Sequence, residues 1–522
     1  MGRWERAAWS ASVLTHAGLL RPYLPDQILG MGLALRRYGL SAASLYAVGA
    51  AQSSRRAALV DQSGTVSYGE MDDRTSNVAA GLADRGVAAG DRVGVLCRNH
   101  RGFVDATVGL AKLGADALLL NTGMAGPQLA QVFAHEGASA LIADDEFLAT
   151  AEGLGPAVPR IVTEEVDRLA GGPRRRPPSP RRSGGQIILT SGTTGAPKGA
   201  HRAGPSGIGP LVSLLSAVPL RRGDVTYVAA PLFHAWGFAH LALAGLLGST
   251  MVVRSRFEPE ATLRLIEDQR VTVLAAVPVM LQRIMDLPET TRAAYDTSSL
   301  RVVVVSGSAL PGGLATRFMD SFGDVLYNLY GSTEVAWVSV ASPRDLRAAP
   351  ATAGRAPRGT VVKLLDGAGD PVPPGRPGRI FVGNDLLFAG YTGGGSKPVV
   401  DGLMATGDTG HFNDEGLLFV DGRDDDMIVS GGENIFPSEV EELLLEHPAV
   451  AEACVVGVAD EQWGQRLRAC VVAAPGASVT GEELRAFVKG RLAGYKVPRD
   501  VVFLEDLPRN TTGKIVRRQL AL

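Results

Sequence analysis

The chain has 522 residues, 45% hydrophobic and 20% charged, with 52 basic against 54 acidic side chains. One core rarely grows past about 250–300 residues, so two or more folding units are expected. The near-neutral balance excludes the basic surface that a nucleic-acid partner requires. Cys97, Cys454 and Cys470 lie far apart in sequence, form no CxxC or zinc spacing, and read as buried, reduced thiols of a cytoplasmic protein.

At the N-terminus, Arg3, Arg6 and the small residues from Ala7 imitate a signal peptide. Glu5, His16 and Arg21-Pro22 interrupt it, and no apolar run of about 18 residues occurs anywhere, so no integral membrane segment is expected. Residues 29–45 read as one amphipathic helix, with Leu and Met on one side and Arg36-Arg37-Tyr38 on another. Such a helix either packs on its own domain, which is the simpler reading, or lies on a membrane surface. Strand at 91–96, helix at 105–113, strand at 117–120, helix at 129–136 and strand at 138–142 then alternate, as in parallel sheets covered by helices. The run GGPRRRPPSPRRSGG at 171–185 has nothing apolar to bury and reads as a solvated, flexible loop, with a nucleic-acid or lipid role for its arginines as the alternative. Strands follow at 186–189, 224–229, 251–253, 271–276 and 301–305.

Past Asp421 the pattern becomes smaller. Ser438 and Glu441 have the spacing of a capping box before an apolar stripe at 440–445. Strands at 453–458 and 467–473 and a helix at 481–491 complete it. The expected fold is α/β: a large N-terminal domain of helix-covered sheets at 1–422, and a small mobile α+β domain at 423–522.

The strongest chemical signal is Thr190-Ser191-Gly192-Thr193-Thr194-Gly195-Ala196-Pro197-Lys198-Gly199, directly after a strand. Short hydroxyls and glycine N–H groups can close on anionic oxygens, and Lys198 supplies a cation for a leaving pyrophosphate. It is not a Walker A loop: Pro197 stands at the second glycine position, and Gly199 stands where a magnesium-binding Ser or Thr belongs.

Tyr330-Gly331-Ser332-Thr333-Glu334, Thr406-Gly407-Asp408, Asp421-Gly422-Arg423, residues 430–437 (SGGENIFP) and Thr511-Thr512-Gly513-Lys514 follow in order. With the hydroxyl-rich loop, this set resembles the adenylate-forming superfamily over nearly the whole chain, and within it fatty acyl-CoA synthetases most. The resemblance implies an ATP-dependent ligase that makes an acyl-adenylate and passes the acyl group to coenzyme A. It implies that Lys514 bridges the carboxylate and the α-phosphate, that Glu334 holds Mg2+ and that Thr333 contacts the α-phosphate. Asp408 would accept both ribose hydroxyls, with Arg423 donating to the same sugar or phosphate. Asn328, Tyr330 and the Gly307-Ser308-Ala309 loop would hold adenine. Asp425 would be the hinge, and Gly431-Gly432-Glu433 would line the pantetheine path.

His234 stands where amino-acid-activating relatives carry an aspartate, which disfavours an amino acid substrate. It reads as a gate or substrate contact, with a satisfied core histidine an equal alternative. Ala235, Gly237 and Ala336 suggest a roomy pocket, hence a medium or long fatty acid or a bulky natural-product acid. Leu403-Met404 and the glycine-rich segment 392–397 depart from the family pattern, in places expected to lie away from the chemistry. Alternatives are an enzyme of one half-reaction, a luciferase-like oxygenase, or a binding protein without turnover. A homodimer is compatible with the sequence.

Overall fold

The computed structural model describes residues 3–190, 198–201, 207–373, 375–424, 428–430, 433–460, 464–492, 494–510 and 513–521, without the side chains of 3, 201, 429, 433, 434 and 464. The phosphate-loop residues 191–197, Asp425, Gly431, Gly432, the Glu433 side chain, Thr511 and Thr512 lie outside this description.

Three sheets build the large domain. The first has eight strands, in the spatial order Ala336–Ala341, Leu326–Ser332, Val302–Val305, Val273–Ala276, Val225–Val228, Thr250–Val252, Ala57–Asp61 and Gly64–Ser67. Its inner strands run parallel, and the first and last pairs are antiparallel. Val302–Val305 is four consecutive valines, all buried, as expected of a strand covered on both faces. The second sheet has seven strands, ordered Gly390–Tyr391, Lys198–His201, Gln186–Thr190, Asp116–Leu119, Arg92–Leu96, Ala140–Ala143 and Arg160–Val162. The third is antiparallel and ends with Leu403–Phe412 and Leu418–Arg423, which pair as far as Asp408 and Arg423.

The smaller domain holds its own five-stranded sheet, built on the long pair Val450–Asp460 and Gly464–Ala473. Its core gathers Val440, Leu444, Val455, Leu467, Leu484 and Val488. Ile428–Ser430 already belongs to this sheet, whereas Leu418–Arg423 belongs to the large domain. The mixed α/β plan of a large N-terminal and a smaller C-terminal domain is therefore the one expected.

Several local expectations are corrected. The single helix at 29–45 is two helices, Pro25–Tyr38 and Ala42–Ser53, broken at Gly39, whose φ of 62° ends the first. The capping box at Ser438 and Glu441 does not form. The helix Pro437–Leu445 begins without a side-chain cap, because Ser438 Oγ donates to the Asp421 carbonyl and Glu441 is engaged by the Val455 N–H and by Arg517. The arginine-rich loop is exposed but pinned: Arg174 pairs with Asp73, Arg175 with Asp84, and Arg182 holds both oxygens of Asp116 at 3.0 Å. The three cysteines are free and buried, but Cys454 and Cys470 face each other across neighbouring strands.

Candidate functional site

Chemistry-bearing side chains gather at the C-terminal ends of the parallel strands, where ligands of open α/β sheets bind. The loop Gly307-Ser308-Ala309 leaves the end of Val302–Val305 and stays exposed, with Gly307 at a φ of 95°. The neighbouring strand Leu326–Ser332 carries Asn328 and Tyr330. Asn328 is buried and donates its amide to the Thr352 carbonyl at 3.3 Å, so that donor already serves the fold.

Tyr330 donates its hydroxyl to Asp408 Oδ2 at 2.5 Å, and Arg423 Nη1 lies 3.5 Å from Asp408 Oδ1. The Asp408 N–H is held by Thr406 Oγ1 at 3.0 Å, which fixes the turn that presents the carboxylate. Burial raises the Asp408 pKa, opposed by the Tyr330 hydrogen bond and by the charges of Arg423, Lys514 and Lys397. The same burial pushes the Tyr330 phenol well up, so its proton stays on the donor side of that bond.

Glu334 sits in a tight β-turn between Leu326–Ser332 and Ala336–Ala341, not at a helix start. Ser332 Oγ accepts the N–H groups of Glu334 and Val335. Gly331 is obligatory here, since a Cβ would lie 1.9 Å from the Ala336 carbonyl oxygen. Ala336 occupies a left-handed φ of 61°. Glu334 Oε1 accepts the Tyr391 hydroxyl at 2.9 Å, and the Lys198 ammonium lies 5.6 Å from the centroid of the Tyr391 ring. Lys198 starts the outgoing strand of the hairpin whose incoming strand ends at Thr190, and Thr190 Oγ1 donates to the Lys198 carbonyl.

Lys514 comes from the small domain. Asn510 and Lys514 face each other across a turn, with Asn510 N donating to the Lys514 carbonyl at 2.8 Å and Lys514 N to Asn510 Oδ1 at 3.0 Å, and Arg509 bridges Ile515 beside them. Arg509 braces the turn on the Gly513 carbonyl and on Glu452. Gly513, at a φ of 78°, presses against the large domain so closely that a Cβ would lie 2.6 Å from Val279 Cγ1. The lysine thus faces Asp408, Arg423 and Glu334. Desolvation in the cleft lowers its pKa, and the two carboxylates act against that. Its side chain is nonetheless exposed to solvent.

His234 precedes the helix Ala235–Leu247 and packs against Phe233, with ring centroids 4.3 Å apart and ring planes tilted by 51°. Burial, helped by the Lys514 charge, brings its pKa down to about 3, so the imidazole is neutral. Its Nε2 is buried with no hydrogen-bond partner among the described residues, which argues against a satisfied core histidine. Two expectations about the surrounding wall fail. Gly237 opens no pocket, because a Cβ there would meet the Pro231 carbonyl oxygen at 2.2 Å; the glycine serves backbone packing. Ala336 is spent on its turn. The wall beside His234 instead carries Trp236, whose indole donates to the Ala276 carbonyl at 3.0 Å and packs edge-on against His240.

Sequence reasoning missed three groups. Tyr391 bridges Glu334 and Lys198. Glu136 is a buried carboxylate at a helix end that accepts both the Gly199 N–H and the Thr392 hydroxyl, tying the stem of the phosphate loop to the segment 392–397. Lys397 reaches Asp408, and a Cβ on Gly407 would lie 3.2 Å from its ammonium. The glycine-rich segment therefore does reach the chemistry. Its glycines gave no signal in the sequence, although Lys397 at its end was the residue to notice.

No group of three or more metal-binding side chains occurs among the described residues. A lone carboxylate with one engaged oxygen nevertheless suits Mg2+, which takes one or two protein carboxylates and completes its shell with water and substrate phosphates.

The fold and cleft define an adenylate-forming enzyme, and comparison with known proteins agrees. A family model described as AMP-binding enzyme matches residues 47–392, and one described as AMP-binding enzyme C-terminal domain matches 439–514. The chain belongs to the AMP-binding enzyme family and is an ATP-dependent acid–thiol ligase. It is 36% identical over 494 residues to a feruloyl-CoA synthase of Amycolatopsis sp, covering 93% of this chain and 99% of that one. It is 31% identical to the fatty acid–[acyl-carrier-protein] ligase ScoC of Streptomyces coeruleorubidus, covering 87% and 91%. Among solved structures, the o-succinylbenzoate CoA synthetase of Bacillus subtilis, in complex with its acyl-adenylate intermediate, superimposes with a TM-score of 0.80 at 30% identity, covering 91% and 97%.

Proposed function

We propose that the enzyme converts an apolar, ring-containing carboxylic acid of natural-product size into its CoA thioester through an acyl-adenylate. The observation that carries this is the convergence of Lys514, Asp408, Glu334 and the unpartnered His234 Nε2 on one cleft. In the first step a carboxylate oxygen attacks the α-phosphorus of ATP and pyrophosphate leaves. Charge builds on phosphate oxygens, so fixed cations supply most of the help. Lys514 lies between the carboxylate and the α-phosphate, with Thr333 on the same phosphate. Lys198, together with Thr190, Ser191, Gly192, Thr193 and Thr194, receives the pyrophosphate. Mg2+ on Glu334 would neutralise phosphate charge when bound. Asp408 accepts the ribose hydroxyls with Arg423 beside it, and Tyr330 and the Gly307–Ala309 loop take adenine. Neutral His234 contacts the acid without adding charge.

In the second step the CoA sulfur attacks the acyl carbon and AMP leaves. The small domain rotates about Asp425 to withdraw Lys514 and admit pantetheine along Gly431-Gly432-Glu433.

Of the two acid classes left open by the sequence, the bulky natural-product acid is favoured over the unbranched medium or long fatty acid. Two of the three small residues that suggested a roomy pocket, Gly237 and Ala336, serve the backbone, and Trp236 stands beside His234. The likeness to a feruloyl-CoA synthase points the same way. The test is incubation with ATP, Mg2+, CoA and a panel of phenylpropenoic, benzoic and C8–C16 fatty acids, following acyl-AMP and acyl-CoA by mass spectrometry. Thioester from the phenylpropenoic acids first supports the reading. Preference for fatty acids overturns the acid class, and adenylate without thioester overturns CoA as acceptor.

A further inference from the structure

The helix Pro25–Tyr38 is apolar on both sides, but only one side has a protein partner. Its inner side carries Gly30, Met31, Ala34 and Tyr38. Gly30 meets the next helix so closely that a Cβ would lie 2.9 Å from Ala51 Cβ, and Gln27 donates to the Gln52 carbonyl at 2.9 Å. The outer side carries Ile28, Leu29 and Leu33, exposed by 57%, 64% and 57%, with Leu24, Leu35 and Leu40 also exposed around it. A helix that is apolar all round is normally buried all round, and contiguous exposed aliphatic side chains mark a docking surface.

The charge around this face identifies the occupant. Between residues 17 and 60 the sequence has five arginines, Arg21, Arg36, Arg37, Arg55 and Arg56, and a single acid, Asp26. The arginine-rich loop meets the C-terminal end of this helix: Arg37 donates to the Pro177 carbonyl at 2.8 Å, and Ser183 donates to the Tyr38 carbonyl. Arg36, Arg176 and Arg181 are exposed and make no ion pair among the described residues, whereas Arg174, Arg175 and Arg182 are committed to aspartates. The face also lies N-terminal to the matched catalytic region, which starts at residue 47.

We propose that the outer face of this helix, with Arg36, Arg176 and Arg181 at its rim, docks the enzyme on the surface of an anionic lipid bilayer. The aliphatic side chains enter the headgroup boundary and the arginines meet lipid phosphates, as for other interfacial helices. No helix among the described residues is long and apolar enough to cross a membrane, so the contact is peripheral. A bilayer fits better than a protein groove because the inner side of the helix is already packed and the charge beside the outer face is mainly positive, with Asp26 the one acid against Arg36, Arg176 and Arg181. Each arginine near an anionic surface contributes about fivefold in affinity.

The test is flotation of the full chain with vesicles of phosphatidylcholine alone or with phosphatidylglycerol, alongside sedimentation velocity without lipid. The expected result is binding to the anionic vesicles that salt weakens, with little to neutral ones. Leu29→Gln with Leu33→Gln abolishes it, Arg36→Gln with Arg176→Gln and Arg181→Gln weakens it about a hundredfold (about fivefold for each arginine), and acyl-CoA turnover without lipid is unchanged in both. Failure of the wild type to float at low salt overturns the proposal. So does equal flotation of the leucine variant. A dimer that the leucine variant dissociates, without vesicle binding by the wild type, overturns it in favour of a second copy on this face.

Discussion

Replacing Lys514 by alanine isolates the first half-reaction. The ammonium is delivered by a braced turn of the small domain into a cleft with Asp408, Glu334 and Arg423, and in the proposed reaction it follows charge as it forms on the α-phosphate. Loss of one preorganised donor of this kind costs about 3–4 kcal/mol, or about 10²–10³ in rate. Rapid-quench measurement of acyl-AMP formation should show that loss. Thioester formation from synthetic acyl-adenylate and CoA should stay within about fivefold of wild type, a difference of about 1 kcal/mol. The pH profile adds a second readout. The lysine acts while protonated, below its pKa, and the cleft has moved that pKa down from the usual 10.5. Wild-type adenylation therefore falls as pH rises through a value below 10.5, and the variant lacks that limb. Equal losses in the two half-reactions, or an unchanged alkaline limb, would refute the assignment.

Three further outcomes follow from the geometry. Gly513→Val places a β-branched residue at positive φ against Val279, a backbone cost of about 1–2 kcal/mol; it should slow adenylation and spare thioester formation from acyl-adenylate, and equal slowing would show that the contact persists in both steps. His411 Nδ1 donates to Asp421 Oδ1 at 2.8 Å, and that bond raises the histidine pKa above 6.5. Its stabilisation is complete below 6.5 and disappears as pH rises through the higher folded value, so the Tm deficit of His411→Gln should shrink on the alkaline side; the half-exposed pair limits the effect to about 1 kcal/mol. Arg74 holds the fully buried Asp105 through contacts of 2.6 to 3.4 Å. Arg74→Leu strands that carboxylate, and urea melts should show a loss of about 3–5 kcal/mol, whereas a loss under 1 kcal/mol (about one tenfold step or less) would mean that water reaches Asp105.

The α/β alternation was legible because parallel strands such as Val302–Val305 are runs of apolar residues bounded by turn signals. Helix starts were less so. The helix Arg101–Leu113 begins earlier than its apolar pattern, because His100 caps it through Nδ1 while its Nε2 binds Asp144, a role not written in the usual capping residues. Ser438 and Glu441 had the right spacing, but stronger partners in space took both side chains. Motif residues of the site, including Tyr330, Glu334, Asp408 and Lys514, could be named because their neighbours in sequence are distinctive. Glu136, Tyr391 and Lys397 could not, because each acts through residues remote in the chain. The size of the acid pocket was misread at Gly237 for the same reason: a missing side chain can make room for a backbone as well as for a ligand.

In the proposed function the nucleotide is held by the strand Leu326–Ser332, its tight turn and the Asp408 turn, and the acid by His234 at the start of the helix Ala235–Leu247. These are separate pieces of chain whose tight glycine contacts, at Gly331 and Gly237, lie within each piece. On that reading a change of acid preference can accumulate at His234, Ala235 and Trp236, around a fixed Gly237, with the Lys514 charge on His234 the one electrostatic link back to the ATP machinery. For an engineer, this makes the enzyme a fixed activating motor with an exchangeable mouth.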